Sequence, residues 1–210
     1  MDPAAAGGRD LAELAAAAIR GGADALQLRD KRATDRALLA EAARLLRVTR
    51  PADVPLIIND RADVAAAVGA EGVHLGQEDL PATDARRLLG PAAIIGQSTH
   101  SRAQAQAAMQ EPVDYIGLGP LFATPTKPDS GAIGLELIRP IIREARCAVV
   151  CIGGIDAGAL EPVLAAGASC IAVVRAVCAA PNPEAAARAL KSRLLQLIPS
   201  TSRPGYNVLS

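Results

Sequence analysis

Seven short apolar runs constrain this chain more than any other feature: ADALQLR, PLIIND, GVHLGQ, AIIGQST, YIGLGP, AVVCIGG and CIAVVR. Between them lie Ala- and Leu-rich segments with helical spacing, such as ATDRALLAEAARLLR, RADVAAAVGA, SRAQAQAAMQ and DAGALEPVLAAG. Hydrophobicity along each run is continuous, which fits strands covered on both faces and therefore parallel strands joined by helical crossovers. Gly22, Gly69 and Gly167 stand where a helix should end before the chain turns into the next strand. Strand–helix units repeating at one short period predict an α/β protein of the (β/α)8 TIM-barrel class. An open Rossmann-type sheet is the second compatible arrangement, but no GxGxxG follows the first strand.

The 210 residues read as a single barrel domain, with a core from about 9 to 198 and no composition shift that would divide it. Only seven strands are legible, and MDPAAAGG at the start carries no apolar run. At the other end PSTSRPG leads into YNVLS, a segment of strand-like composition. A strand entering there by a right-handed crossover would fill the place of the absent first strand. Residues 199–210 are therefore read either as a linker plus a permuted tail strand or as a tail outside the sheet.

Composition narrows the function. The aromatics are Tyr115, Phe122 and Tyr206, and the formal net charge is zero, which argues against nucleic-acid binding by base stacking and basic patches. No apolar stretch of about 20 residues is present to span a membrane, and the start lacks the pattern of a signal peptide. Cys147, Cys151, Cys170 and Cys178 have no CxxC spacing and fit buried reduced thiols. A cytoplasmic protein is expected, as a monomer or a homo-oligomer.

In a barrel the chemistry gathers at the C-terminal ends of the strands. Those ends read QLRDK (27–31), ND (59–60), GQED (76–79), GQST (96–99), GPLFATPTK (119–127), IGG (152–154) and VVR (173–175), nearly all polar, charged or glycine-rich. Arg29, Lys31 and Lys127 supply cations for a polyanion. Asp60 and Asp79 are hard oxygen ligands suited to magnesium held by one or two carboxylates and substrate phosphates. Each acid also has a plain reading as a cap on the following helix or turn. Thr124 and Thr126 offer hydroxyls from a long loop, and the glycines of IGGI with Arg175 fit a phosphate site. His74 reads as a packed, hydrogen-bonded histidine and His100 as a residue at a helix start. Two anion sites at one mouth imply two phosphorylated substrates.

QLRDK, NDRADVAAAVGAEGVHLGQEDL, IGQSTHS, YIGLGPLFATPTKPD, IGGI and AVVRA, taken in order, closely resemble the thiamine phosphate synthase family, from about Leu11 to Leu195. The resemblance implies a (β/α)8 barrel that joins a pyrimidine methyl diphosphate to a thiazole ethyl phosphate with magnesium and releases pyrophosphate. It places Gln27, Leu28, Arg29, Asp30, Lys31, Asn59, Ser98 and Lys127 around the pyrimidine diphosphate, with Arg29, Lys31, Ser98 and Lys127 as the catalytic set. It makes Asp60 and Asp79 the magnesium ligands, and it puts Thr124, Pro125, Thr126, Gly154, Val174 and Arg175 around the thiazole phosphate. Ionisation of the diphosphate would precede capture of the pyrimidine cation by the thiazole nitrogen. The family's first strand, ending in something like TDP, is represented here only by MDP, and Arg175 stands where the family often has Ser. A thiazole tautomerase-like relative and a non-catalytic phosphate-binding barrel are the alternatives.

Overall fold

The computed structural model describes residues 1–123 and 131–197. The chain runs α1 (Pro3–Ala6), α2 (Leu11–Arg20), β1 (Leu26–Leu28), α3 (Asp35–Thr49), β2 (Leu56–Asn59), α4 (Ala62–Val68), β3 (Gly72–Leu75), α5 (Ala82–Leu89) and β4 (Ile94–Thr99). It continues α6 (Arg102–Ala108), β5 (Tyr115–Leu118), α7 (Ile138–Glu144), β6 (Ala148–Ile152), α8 (Leu160–Ala165), β7 (Cys170–Ala172), α9 (Arg175–Cys178) and α10 (Pro183–Leu197). All seven strands fall on the seven apolar runs. They form one parallel sheet in sequential order, β1 through β7, as the strands of an α/β barrel do.

Leu56, Ile57 and Ile58 are all buried, so β2 is covered on both faces, which is why its hydrophobicity does not alternate. Helix starts follow local chemistry: the Asp10 carboxylate accepts from Ala12 and Glu13 N–H at 2.9 and 3.0 Å and caps α2. At helix ends Gly22, Gly69 and Gly167 take positive φ values of 94°, 67° and 112°, as their positions predict. Outside the sheet, α2 packs between α3 and α10, and α1 packs against α9.

The start of the chain departs from the sequence reading, which began the core near residue 9. Leu26 N–H donates to Pro55 O toward β2 at 3.0 Å, so the next carbonyl and amide along β1 face the opposite edge. There Met1 closes on β1: Arg29 N–H donates to Met1 O at 2.9 Å, and Met1 N donates to Gln27 O. Asp2 then caps α1, and Asp2, Ala5 and Ala6 are buried. The mouth end of the first-strand position is thus held by Met1 and Asp2. The expected tail strand, Tyr206 to Leu209, lies outside the described residues. Among the described residues no helix is long and apolar enough to cross a membrane.

Candidate functional site

Parallel strands in sequential order bring the C-terminal ends of the seven strands to one end of the sheet. Three neighbouring ends carry a charged cluster. β1 leads to Lys31, β2 to Asp60 and β3 to Asp79. Lys31 Nζ lies 3.0 Å from Asp60 Oδ2. Asp79 Oδ2 accepts from Gly76 N–H at 2.6 Å. Burial pushes the Asp79 carboxyl above the usual carboxylate range; the hydrogen-bonded Asp60 carboxyl adds to that shift, and Lys31 opposes it. Two acids within hydrogen-bonding reach of each other, with one lysine paired to Asp60, form a place where a divalent cation would relieve repulsion.

The helix-capping reading of these acids does not hold. The residue before α4 is Arg61, with no side-chain cap bond, and α5 begins after Pro81, also without one. Asp60 instead sits in the left-handed region at φ 64°, unusual for a residue with a Cβ. Its amide donates to His74 O at 2.7 Å, and Arg61 N–H reaches Asn59 O at 2.8 Å, fixing the turn. Such a conformation costs on the order of 1–3 kcal/mol and concentrates at functional sites. Among the described residues no group of three or more His, Cys, Asp or Glu could by itself hold a metal. Two carboxylates suit magnesium, which keeps several waters and takes its remaining oxygens from substrate phosphates; they do not suit a closed all-protein metal cage.

Arg29 is steered from behind. Its Nη1 lies 2.8 Å from Asp2 Oδ2, and its buried Nε has no partner in the structure. Asp30 is occupied by a turn, accepting from Arg32 and Ala33 N–H at 3.0 and 3.1 Å. Leu28 is buried in the core. Asn59 ends β2 paired in register with His74. Ser98, on β4, places Oγ 2.8 Å from His74 Nε2, and His74 Nδ1 meets the Tyr115 hydroxyl at 2.9 Å. The reading of His74 as a packed, hydrogen-bonded residue therefore holds.

On the far side of the sheet, Gly153 and Gly154 adopt φ values of 100° and 69°. A Cβ on Gly153 would stand 2.4 Å from Pro120 Cα, so the IGG turn admits the chain leaving β5 only with glycine there. Leu121 and Phe122 N–H donate to Ile152 and Gly153 O, at 2.9 and 3.1 Å, and tie that chain down. Val174 precedes α9, and Arg175 opens it, exposed. Thr124, Pro125, Thr126 and Lys127 lie outside the described residues. A cavity of about 270 Å³ lined by Arg9, Asp10, Asp30, Glu41 and Arg44 opens on the helix side of β1, not at the acids; the converging charged chains, not that hollow, mark the site.

Two contributors escaped the sequence reading. Asp2 belongs to MDP, which resembles a strand-end motif, but its partner is 27 residues away. Tyr115 reads as an ordinary strand aromatic until β4 and β5 are set beside each other.

Residues 1–177 match the family model described as thiamine monophosphate synthase. A thiamine-phosphate synthase of Roseiflexus sp. (strain RS-1) is 47% identical over 205 residues, covering 97% of this chain and 87% of that protein. One from Azorhizobium caulinodans is 52% identical over 185 residues, with 88% and 87% covered. Among solved structures, thiamine phosphate pyrophosphorylase from Pyrococcus furiosus superposes with a TM-score of 0.84 at 36% identity, covering 91% of this chain and 92% of that one. A 3-hexulose-6-phosphate synthase superposes with a TM-score of 0.67 at 18% identity, over 91% and 94% of the two chains, a likeness of fold alone.

Proposed function

The chain belongs to the thiamine monophosphate synthase family and is by that membership a transferase, and from this premise we propose that it couples 4-amino-2-methyl-5-hydroxymethylpyrimidine diphosphate to thiazole phosphate, yielding thiamine phosphate and pyrophosphate. The observation that carries the reading is the convergence of Lys31, Asp60 and Asp79 at three adjacent strand ends, with Asp60 held in a left-handed conformation. Asp60 and Asp79 would hold magnesium, which when bound neutralises charge on the departing diphosphate.

The chain's own residues do the rest. Lys31 and Arg29 face the leaving group as cations, with Lys127 as a third. Stabilising charge that builds on a leaving pyrophosphate favours ionisation ahead of attack. Asp2 anchors Arg29 at the strand end through their ion pair. Ser98 donates to an oxygen of the diphosphate. The reaction needs no protein nucleophile, because the thiazole nitrogen supplies the attacking electron pair. Thr124, Pro125 and Thr126, with Gly154, Val174 and Arg175, would enclose the thiazole phosphate, aligning that nitrogen with the pyrimidine methylene.

The test is direct. Purified protein with both substrates and magnesium should release pyrophosphate and form thiamine phosphate, and Asp60→Ala should abolish the magnesium-dependent product. A wild-type protein that binds both phosphates without turnover would overturn the synthase reading, and an Asp60→Ala enzyme with intact turnover would overturn the metal assignment.

A further inference from the structure

Behind the charged mouth four polar side chains from four strands line up inside the sheet: Gln27 on β1, Tyr115 on β5, His74 on β3 and Ser98 on β4. The Gln27 side chain lies near enough to the Tyr115 hydroxyl to act on it. That hydroxyl lies 2.9 Å from His74 Nδ1, and His74 Nε2 lies 2.8 Å from Ser98 Oγ. The two rings are tilted by 31° with centroids 5.4 Å apart, a packed pair. Two glycines make the space. A Cβ at Gly96 would fall 2.1 Å from Tyr115 Cζ, and one at Gly117 would fall 3.0 Å from His74 Cε1.

A neutral phenol has one proton and can serve either the amide or the imidazole, not both. Burial pushes the Tyr115 hydroxyl well above its ordinary value, so it keeps that proton. His74 Nδ1, 2.9 Å away, is placed to accept that proton, which would otherwise be left without a partner. The imidazole proton then sits on Nε2 and is donated to Ser98 Oγ. The serine proton is left over.

We propose that Tyr115 and His74 form a directional hydrogen-bond relay that fixes Ser98 as a donor toward an anionic oxygen of the bound substrate. No proton crosses the relay. Its effect is to ensure that Ser98 presents a hydrogen and not a lone pair, and to hold Oγ in place with half-buried aromatic neighbours. His74 and Tyr115 are positioning residues that act through Ser98. Identifying the oxygen as one of the pyrimidine diphosphate rests on the function proposed above; the donor order does not.

The experiment has two arms. His74 and His100 are the two histidines of the chain, so ¹⁵N-histidine labelling of the full protein gives two imidazole patterns, assigned with His100→Gln. His74 should show a protonated Nε2 and an unprotonated Nδ1. A protonated Nδ1 overturns the relay, and because this is read on the wild type, a variant that misfolds cannot shield the proposal. In the kinetic arm, Tyr115→Phe should lower kcat about tenfold, the size of one hydrogen bond to a charged group, with KM for the thiazole phosphate unchanged. In a Ser98→Ala background the same change should cost nothing further. Independent, multiplying losses would overturn action through Ser98. A wild type that makes no thiamine phosphate would sink the functional reading, while the tautomer measurement would still decide the relay.

Discussion

Replacing Asp2 by Asn removes one charge from an ion pair largely shielded from water. The Asp2 side chain is 6% exposed and that of Arg29 21%, with Nη1 and Oδ2 2.8 Å apart. Breaking one side of a fully buried pair costs about 3–5 kcal/mol. Partial access of Arg29 to water and retention of an amide oxygen reduce this to about 2 kcal/mol. Asn still offers an oxygen to Ala4 and Ala5 N–H, which the Asp2 carboxylate meets at 3.0 and 3.3 Å, so the α1 cap survives. Asp2→Ala loses the cap as well, adding about 1 kcal/mol. For a chain of this length each kcal/mol moves the melting temperature by about 2–4 °C, so the expected falls are about 4–8 °C for Asn and about 6–12 °C for Ala. Thermal melts followed by circular dichroism measure both. A fall below about 2 °C in Asp2→Asn would refute the shielded ion pair, and equal falls in the two variants would refute the cap. Steady-state kinetics carries the functional half: KM for the pyrimidine diphosphate should rise while KM for the thiazole phosphate holds. An equal change in both would show that Asp2 does not act through Arg29.

Magnesium at ten times its dissociation constant should stabilise the wild type by about 1.4 kcal/mol, a rise of about 3–6 °C, and Asp79→Asn should lose that response in differential scanning fluorimetry. Burial pushes the Cys151 thiol up to about 12, against about 8.5 in an unfolded chain. Its folded value is the raised one, so its contribution to stability is complete below about pH 8.5 and is lost as pH climbs toward 12. Urea unfolding from pH 8 to 11 should show a flatter alkaline decline in Cys151→Ala, and an unchanged slope would refute the assignment. Gly96→Ala puts a Cβ 2.1 Å from Tyr115 Cζ and should cost about 1–3 kcal/mol in urea unfolding through overpacking. Gly131→Ala meets nothing within 4 Å and should stay within about 0.5 kcal/mol of the wild type.

Much of the site was legible one residue at a time. Asp60 and Asp79 each end an apolar run, and a parallel sheet in sequential order has to deliver adjacent strand ends to the same mouth. The capping alternative could not be dismissed from sequence, because Asp before a helical segment is the ordinary signal of a cap; the left-handed turn at Asp60 and the Asp60–Asp79 contact dismissed it. The readings that rested on Thr124 to Lys127 and on the tail fall outside the described residues.

The sequence by itself determined the seven strands, the helices between them and the glycines that close the helices, because each depends on a window of a few residues: continuous burial, a 3.6-residue period, a positive φ. Which side chains meet across the sheet is set by strand pairing and packing. Arg29 takes Asp2 from 27 positions away, and His74 meets Tyr115 and Ser98 at separations of 41 and 24. Those meetings depend on strand register, which sets Gly96 between His74 and Tyr115 and Gly117 beside Ser98, and on the space those two glycines leave. No local window contains that information, since a one-residue slip in register would turn each of these side chains to the opposite face.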